Sequence, residues 1–170
     1  GAKVSYDLRA PETTIATPSV DLTIVIAAAP GRVLKAFFDP DALGAWWQVA
    51  RSVTTPRPLG PYVLEWNATD FRDDVLGRLG GVFRGTVMQF DPGHGFFVAD
   101  CFWLPPEGDP IGPMALDVTA TLAGPDAGGG TRVRIRQTGF EDGERWRRYY
   151  QVVGQGWERA LASLKALLEH

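Results

Sequence analysis

The feature that most constrains this 170-residue chain lies at its C-terminal end. Placed at 100° per residue, Trp146, Tyr149, Tyr150, Val153, Trp157, Ala160, Leu161, Leu164, Leu167 and Leu168 all fall within about 60° of one line. Arg148, Gln151, Gln155, Glu158, Arg159 and Lys165 face away from it. Such a helix of some 25 residues has one apolar stripe and must bury it against another layer of the fold. Asp142 is the expected N-cap, and Glu144 stands three and four residues from Arg147 and Arg148, pairs worth about 0.2 to 0.5 kcal/mol each. Gly154 and Gly156 cost roughly 1 kcal/mol each against alanine inside a helix, so they predict a bend or a close backbone approach beside Trp157.

The partner layer is a sheet. Val20, Leu22, Ile24 and Ile26 alternate with Asp21, Thr23 and Val25, which gives a strand with one buried face. Ala29-Pro30 then opens a helix with Val33, Leu34 and Phe37 on its apolar side. Asp39 caps a second short helix that starts at Pro40 and carries Leu43, Trp46 and Trp47. From Ser52 onward, strands are punctuated by turns and never alternate with helices, so Tyr62–Asn67, Gly81–Phe90, Gly95–Trp103, Met114–Leu122 and Thr131–Phe140 read as an antiparallel meander. In the last two, Leu116, Val118, Ala120, Val133 and Ile135 oppose Asp117, Thr119, Thr121, Arg132, Arg134 and Arg136, so one face is wet and the other covered. The fold class is α+β: a curved antiparallel sheet around a long C-terminal helix, with two short helices after the first strand. Gly1–Ser19 reads as an extended lead-in, and residues 20–170 as one domain.

Composition narrows the function classes. Seventeen basic against 20 acidic side chains give a net charge of −3, which leaves no basic surplus for a phosphate backbone and argues against nucleic acid. Leu22–Pro30 is far shorter than the roughly 20 residues of a membrane-spanning helix. One cysteine, Cys101, rules out an intrachain disulfide and a cysteine-rich zinc site, and fits a cytoplasmic location. His94 sits in a Pro-Gly-His-Gly turn and His170 ends the chain, so no spacing suggests a metal, a cofactor or a nucleophile's base.

Several segments resemble the START-like helix-grip superfamily, which includes the polyketide-cyclase and birch-pollen-allergen families. The similarity is closest to the family related to the activator of the ninety-kilodalton heat-shock-protein ATPase. It rests on Ile26-Ala-Ala-Ala-Pro30 running through Val33–Leu43 to Trp46-Trp47, on Gly85-Thr-Val87, Phe90-Asp-Pro92 and Phe96-Phe-Val98, and on Gly130–Ile135, Gly139-Phe140 and Gly156-Trp157 with Leu161 and Leu164. It spans Val20–Leu168. Asp100, where similar proteins tend to have an aromatic, and the long charged loop Asp70–Gly81 depart from the pattern.

The resemblance implies a cavity between the sheet and the long helix. A dry, empty void of about 300 Å³ would cost on the order of 7 kcal/mol at about 24 cal/mol per Å³, so such a space holds water, ligand or large side chains. The expected wall is Trp47, Tyr62, Trp66, Phe96, Asp100, Phe102, Met114, Leu116, Trp146, Tyr150, Val153 and Trp157, with Leu64, Val98 and Val118 beside them. Strand parity turns Asp100 inward and Glu65 outward; a bulge near Gly85 would let Arg84 pair with Asp100. The primary reading is a module that binds a small, largely apolar molecule, with Asp100 or Tyr150 fixing its polar end. A cyclase- or hydrolase-like enzyme using the same cavity stays open. So does a chaperone or other protein contact, or a homodimer, for which Phe97 and Trp103 are the expected outward apolar residues.

Overall fold

The computed structural model describes residues 18–170; the greater part of the expected lead-in, residues 1–17, lies outside them. Strand β1 (Val20–Ile26) is followed by helices α1 (Pro30–Lys35) and α2 (Pro40–Trp47), then β2 (Arg51–Thr54) and β3 (Pro61–Trp66). A two-residue hairpin, β4 (Arg72–Asp73) and β5 (Gly77–Arg78), occupies the charged loop. Strands β6 (Gly81–Asp91), β7 (Gly95–Leu104), β8 (Ile111–Leu122) and β9 (Thr131–Thr138) precede α3 (Glu144–Leu168).

Seven strands form one antiparallel sheet in the order β1-β9-β8-β7-β6-β3-β2. This is the α+β helix-grip arrangement expected from the sequence. Both short helices carry proline at their first turn, and Asp39 accepts a hydrogen bond from the Ala42 amide at 3.0 Å, as its capping position requires. The two ends of the sheet meet α3 differently. At β1, Lys165 Nζ donates to the Val25 carbonyl at 2.7 Å, Glu169 accepts from the Ala27 amide at 2.9 Å, and Arg32 donates to the Leu168 carbonyl at 2.9 Å. Three polar links thus fix the C-terminal end of α3 to the first strand and helix.

The N-terminus of α3 is capped by Gly143, at φ +127°, and not by Asp142. Asp142 lies one residue further out, where its carboxylate accepts from the Gly143 amide at 2.9 Å and from Arg147 at 2.8 Å. Of the two readings given for Gly154 and Gly156, one is removed. A Cβ at either position would meet no atom within 4 Å, so neither marks a close backbone approach.

The largest departure is in β7. Val98 pairs with Leu116 and Cys101 with Met114, so three steps along β7 match two along β8; against β6, Arg84 faces Phe102 while Thr86 faces Ala99. One extra residue in β7 inverts its parity, as a β-bulge does. Asp100 carries the distortion at φ +52°. Before the bulge Phe96 and Val98 are buried; after it Cys101 and Trp103 are. Asp100 is therefore exposed rather than inward, Phe102 is half-buried on the outer face, and Trp103 is core rather than an outward patch. Gly85 is what lets the strands close here: a Cβ would come within 2.7 Å of Val98 Cγ1 and 2.9 Å of the Cys101 sulfur. The bulge near Gly85 exists, but Arg84 does not pair with Asp100. Its guanidinium lies over the Phe102 ring, 5.4 Å from the centroid. Glu65 is outward as expected, in an exposed two-point pair with Arg51 at 2.8 and 2.9 Å.

Candidate functional site

Helix α2 ends at Gln48, which turns the chain in the left-handed region at φ +59°. Its last turn therefore presents Trp46 and Trp47 side by side, stacked at 4.8 Å with 14° between the rings. The Trp46 indole donates to the Ala36 carbonyl at 2.9 Å, fixing α2 to α1. At the end of β3, Trp66 donates to the Trp47 carbonyl at 2.8 Å and sits edge-on to Trp47 at 5.4 Å. Trp103 donates to the Gly80 carbonyl at 2.7 Å and stacks on Tyr149 of α3 at 5.2 Å. Trp157, also on α3, lies 4.6 Å from Trp47 and donates to Gln137 Oε1 at 2.8 Å.

Around these rings is a recess of about 580 Å³, open to solvent, between α2, α3, the inner face of the sheet and the loop that leads from β3 to β6. That volume lies within the range of small-molecule sites. Five of the six tryptophans line it. Phe83, Leu79, Val152 and Val153 add aliphatic and aromatic surface, and four of the five indoles have their N–H groups satisfied, so the walls are held in place.

The polar floor is Gln137, on β9, 1% exposed. Its Oε1 accepts from Trp157, while Nε2 donates to Tyr149 Oη and to the Met114 sulfur, both at 3.3 Å. These bonds fix which way the amide points. Burial raises the Tyr149 hydroxyl well above its ordinary pKa, so it stays protonated.

The loop is held by Asp73. Its carboxylate accepts from the Val75 and Leu76 amides at 3.1 and 3.0 Å and from Arg148 of α3 at 2.8 and 2.6 Å. The Arg148 guanidinium and the two amides hold its pKa down to about 2. Gly80 permits the return of the loop: at φ +92°, a Cβ there would lie 2.2 Å from the Asn67 carbonyl oxygen.

The family model for activator of Hsp90 ATPase homolog 1-like proteins matches residues 27–169. The chain belongs to that family. No curated protein matches the sequence. Among solved structures, a crystal structure of a Mesorhizobium loti protein is 21% identical, with 89% of this chain and 96% of that one aligned at a TM-score of 0.66. A Mycobacterium smegmatis protein is 20% identical over 93% and 98% of the two chains, at 0.65. The solution structure of the Aha1 dimer from Colwellia psychrerythraea is 17% identical over 90% and 97%, at 0.61. At these identities the likeness is one of fold.

Within this member of the activator-like family, the recess brings together Trp47, Trp66, Val153 and Trp157 from the expected wall. Tyr62, Phe96, Met114 and Leu116 are instead packed in the core; the Tyr62 hydroxyl donates to the Phe37 carbonyl at 2.9 Å and the ring contacts Phe38 at 5.2 Å. Trp146 and Tyr150 gather around Phe140 at 6.2 and 5.1 Å, and the Tyr150 hydroxyl donates to the Ser19 carbonyl at 3.2 Å. Asp100 and Phe102 lie outside, beyond the bulge. Sequence reasoning missed Trp46, Phe83, Trp103, Gln137 and Tyr149 as lining residues. Two signals were there: Tyr149 stands in the α3 stripe, and Gln137 follows Val133 and Ile135 at the same inward parity, a polar residue where apolar ones precede it. Cys101 is buried among apolar neighbours, and its thiol pKa is pushed up to about 12, which makes it a packing group at neutral pH.

Proposed function

We propose that this protein binds a small, largely apolar molecule in the recess between α2, α3 and the sheet, and that residues 20–170 act as one ligand-binding domain. The observation that carries this reading is the concentration of five of six tryptophans on one solvent-open space of about 580 Å³. Aromatic side chains are the largest contributors to core burial, and a fold gains most by packing them together. Trp46, Trp103 and Trp157 are buried, but leaving Trp47 and Trp66 half-buried at an open volume forgoes dispersion contacts that an apolar occupant would restore. The polar end of that occupant falls to the Gln137–Tyr149 pair, in place of Asp100 and Tyr150. Neither Asp100 nor Tyr150, the residues that a proton-transferring enzyme in this cavity would need, lines the recess, which favours binding over catalysis there.

N-phenyl-1-naphthylamine, a neutral apolar fluorophore, tests the reading. Saturable binding with one site per chain is the expected result, accompanied by quenching of tryptophan emission. Gly156 lines the recess, and a Cβ on it meets open space, so Gly156→Leu should fill the volume while leaving the helix intact. Binding by wild type that survives unchanged in Gly156→Leu would contradict the reading, as would no saturable binding by wild type.

A further inference from the structure

The recess is not electrostatically neutral. Among the described residues that line it, Arg159 is the one permanently charged side chain and no carboxylate is present. Arg159 is an exposed residue of α3 and makes no ion pair with another described residue; other arginines without one, such as Arg32, Arg84 and Arg145, are held by backbone carbonyls or a ring outside the recess. The Tyr149 hydroxyl adds a donor: it accepts from Gln137, and its own proton has no acceptor among the described residues. The cation at the wall calls for a negatively charged group, and the protonated hydroxyl at the floor, about 15 Å away along the axis of α3, calls for a separate oxygen acceptor on the same ligand. Shape gives the rest of the description. Trp46 stacks on Trp47 at 14° and Trp103 on Tyr149 at 18°, so the walls are flat ring pairs that favour a flat partner by offset stacking.

Resting on the reading that the recess is a binding site, we infer that its ligand is a planar aromatic monoanion, with the ring system between the tryptophan walls and the anionic group at Arg159. Arginine suits this role because its planar guanidinium is always charged and pairs with an oxyanion through two parallel donors. The chain as a whole carries a net charge of −3, so its long-range field disfavours anions and any preference for one must be local.

Two fluorophores with the same anilinonaphthalene skeleton separate the inference from the reading beneath it: 8-anilino-1-naphthalenesulfonate carries one anionic group, and N-phenyl-1-naphthylamine carries none. The sulfonate should bind at least tenfold more tightly, equivalent to about 1.4 kcal/mol. Arg159→Gln should weaken the sulfonate at least tenfold and abolish that preference while changing the neutral probe's affinity far less, and Gly156→Leu should weaken both. Equal affinities that Arg159→Gln does not alter would overturn the anion inference and leave the binding site standing. Sulfonate binding that persists in Gly156→Leu would place the anion elsewhere and also overturn the inference. Failure of both probes to bind wild type would overturn the inference and the reading together.

Discussion

The two halves of α3 share one apolar stripe and do different work. From Trp157 onward the stripe is mostly core: Trp157, Ala160, Leu161, Leu164 and Leu168 are buried although Trp157 and Ala160 also edge the recess, Leu167 of the expected stripe is exposed, and Arg32, Lys165 and Glu169 fasten this end to β1 and α1. Before Trp157, only Tyr149 is buried. Trp146, Tyr150, Val152 and Val153 are half-buried, and Gly154 and Gly156 face open space. Periodicity thus reports which face of a helix leaves water, not whether protein or an open volume lies opposite. From Tyr149 to Ser163 one flank of the helix is a wall of the recess, whereas Leu161, Leu164 and Leu168 are core.

The most severe way to break that comparison is to empty a site in each half. Leu164, fully buried, should cost about 2 to 5 kcal/mol on replacement by alanine, and Trp157 about 3 to 5 kcal/mol, read from urea unfolding. Val153→Ala should cost only about 1 kcal/mol, because part of its surface is already exposed, yet it should weaken probe binding where Leu164→Ala does not. Equal destabilisation at Leu164 and Val153 would dissolve the distinction between the halves. Gly154→Ala sharpens it with the opposite sign: with open space around the Cβ, the change should raise stability by about 0.5 to 1 kcal/mol.

The smallest effect concerns how the recess half of α3 is tied to its loop. Asp73 has a folded pKa of about 2, below the ordinary 3.8, so its contribution is fully present above pH 3.8 and is lost as pH falls toward 2. Arg148 is substantially exposed, and solvent screening keeps that contribution modest. The stability gap between wild type and Asp73→Asn, measured by urea midpoints, should therefore be larger at pH 6 than at pH 2. A gap independent of pH would mean the ion pair does not hold the loop.

Much of the architecture was legible because it follows from local rules. Pro30 and Asp39-Pro40 marked two helix starts, alternation from Val20 to Ile26 gave β1, and the stripe gave α3 to within a residue at each end. The site was less legible because strand parity holds only while the register is unbroken. One extra residue at Asp100 exchanged the faces of everything after it in β7, putting Cys101 and Trp103 inside and Phe102 outside. A glycine at position 85 was a trace of that bulge, but nothing local in Val98–Trp103 says which residue bulges. Tyr62 and Phe96 were misplaced for another reason: inward parity is shared by core and recess, and what separates them is Phe37 and Phe38, between α1 and α2, which pack over Tyr62 and Phe96. The loop read from the sequence as long and charged, Asp70–Gly81, belongs to a connection that lines the recess through Asn67, Thr69, Leu79 and Gly80, with Asp73 and Arg148 drawing it against α3.

The most direct test of the central claim follows the six indole N–H resonances of the folded protein during titration with N-phenyl-1-naphthylamine. Trp46, Trp47, Trp66, Trp103 and Trp157 line the recess, whereas Trp146 packs beside Phe140 outside it. Ligand entry between α2 and α3 predicts that the five lining resonances shift with a common saturation curve while Trp146 stays in place. A shift confined to Trp146, or no movement among the five, would contradict a binding site in this recess.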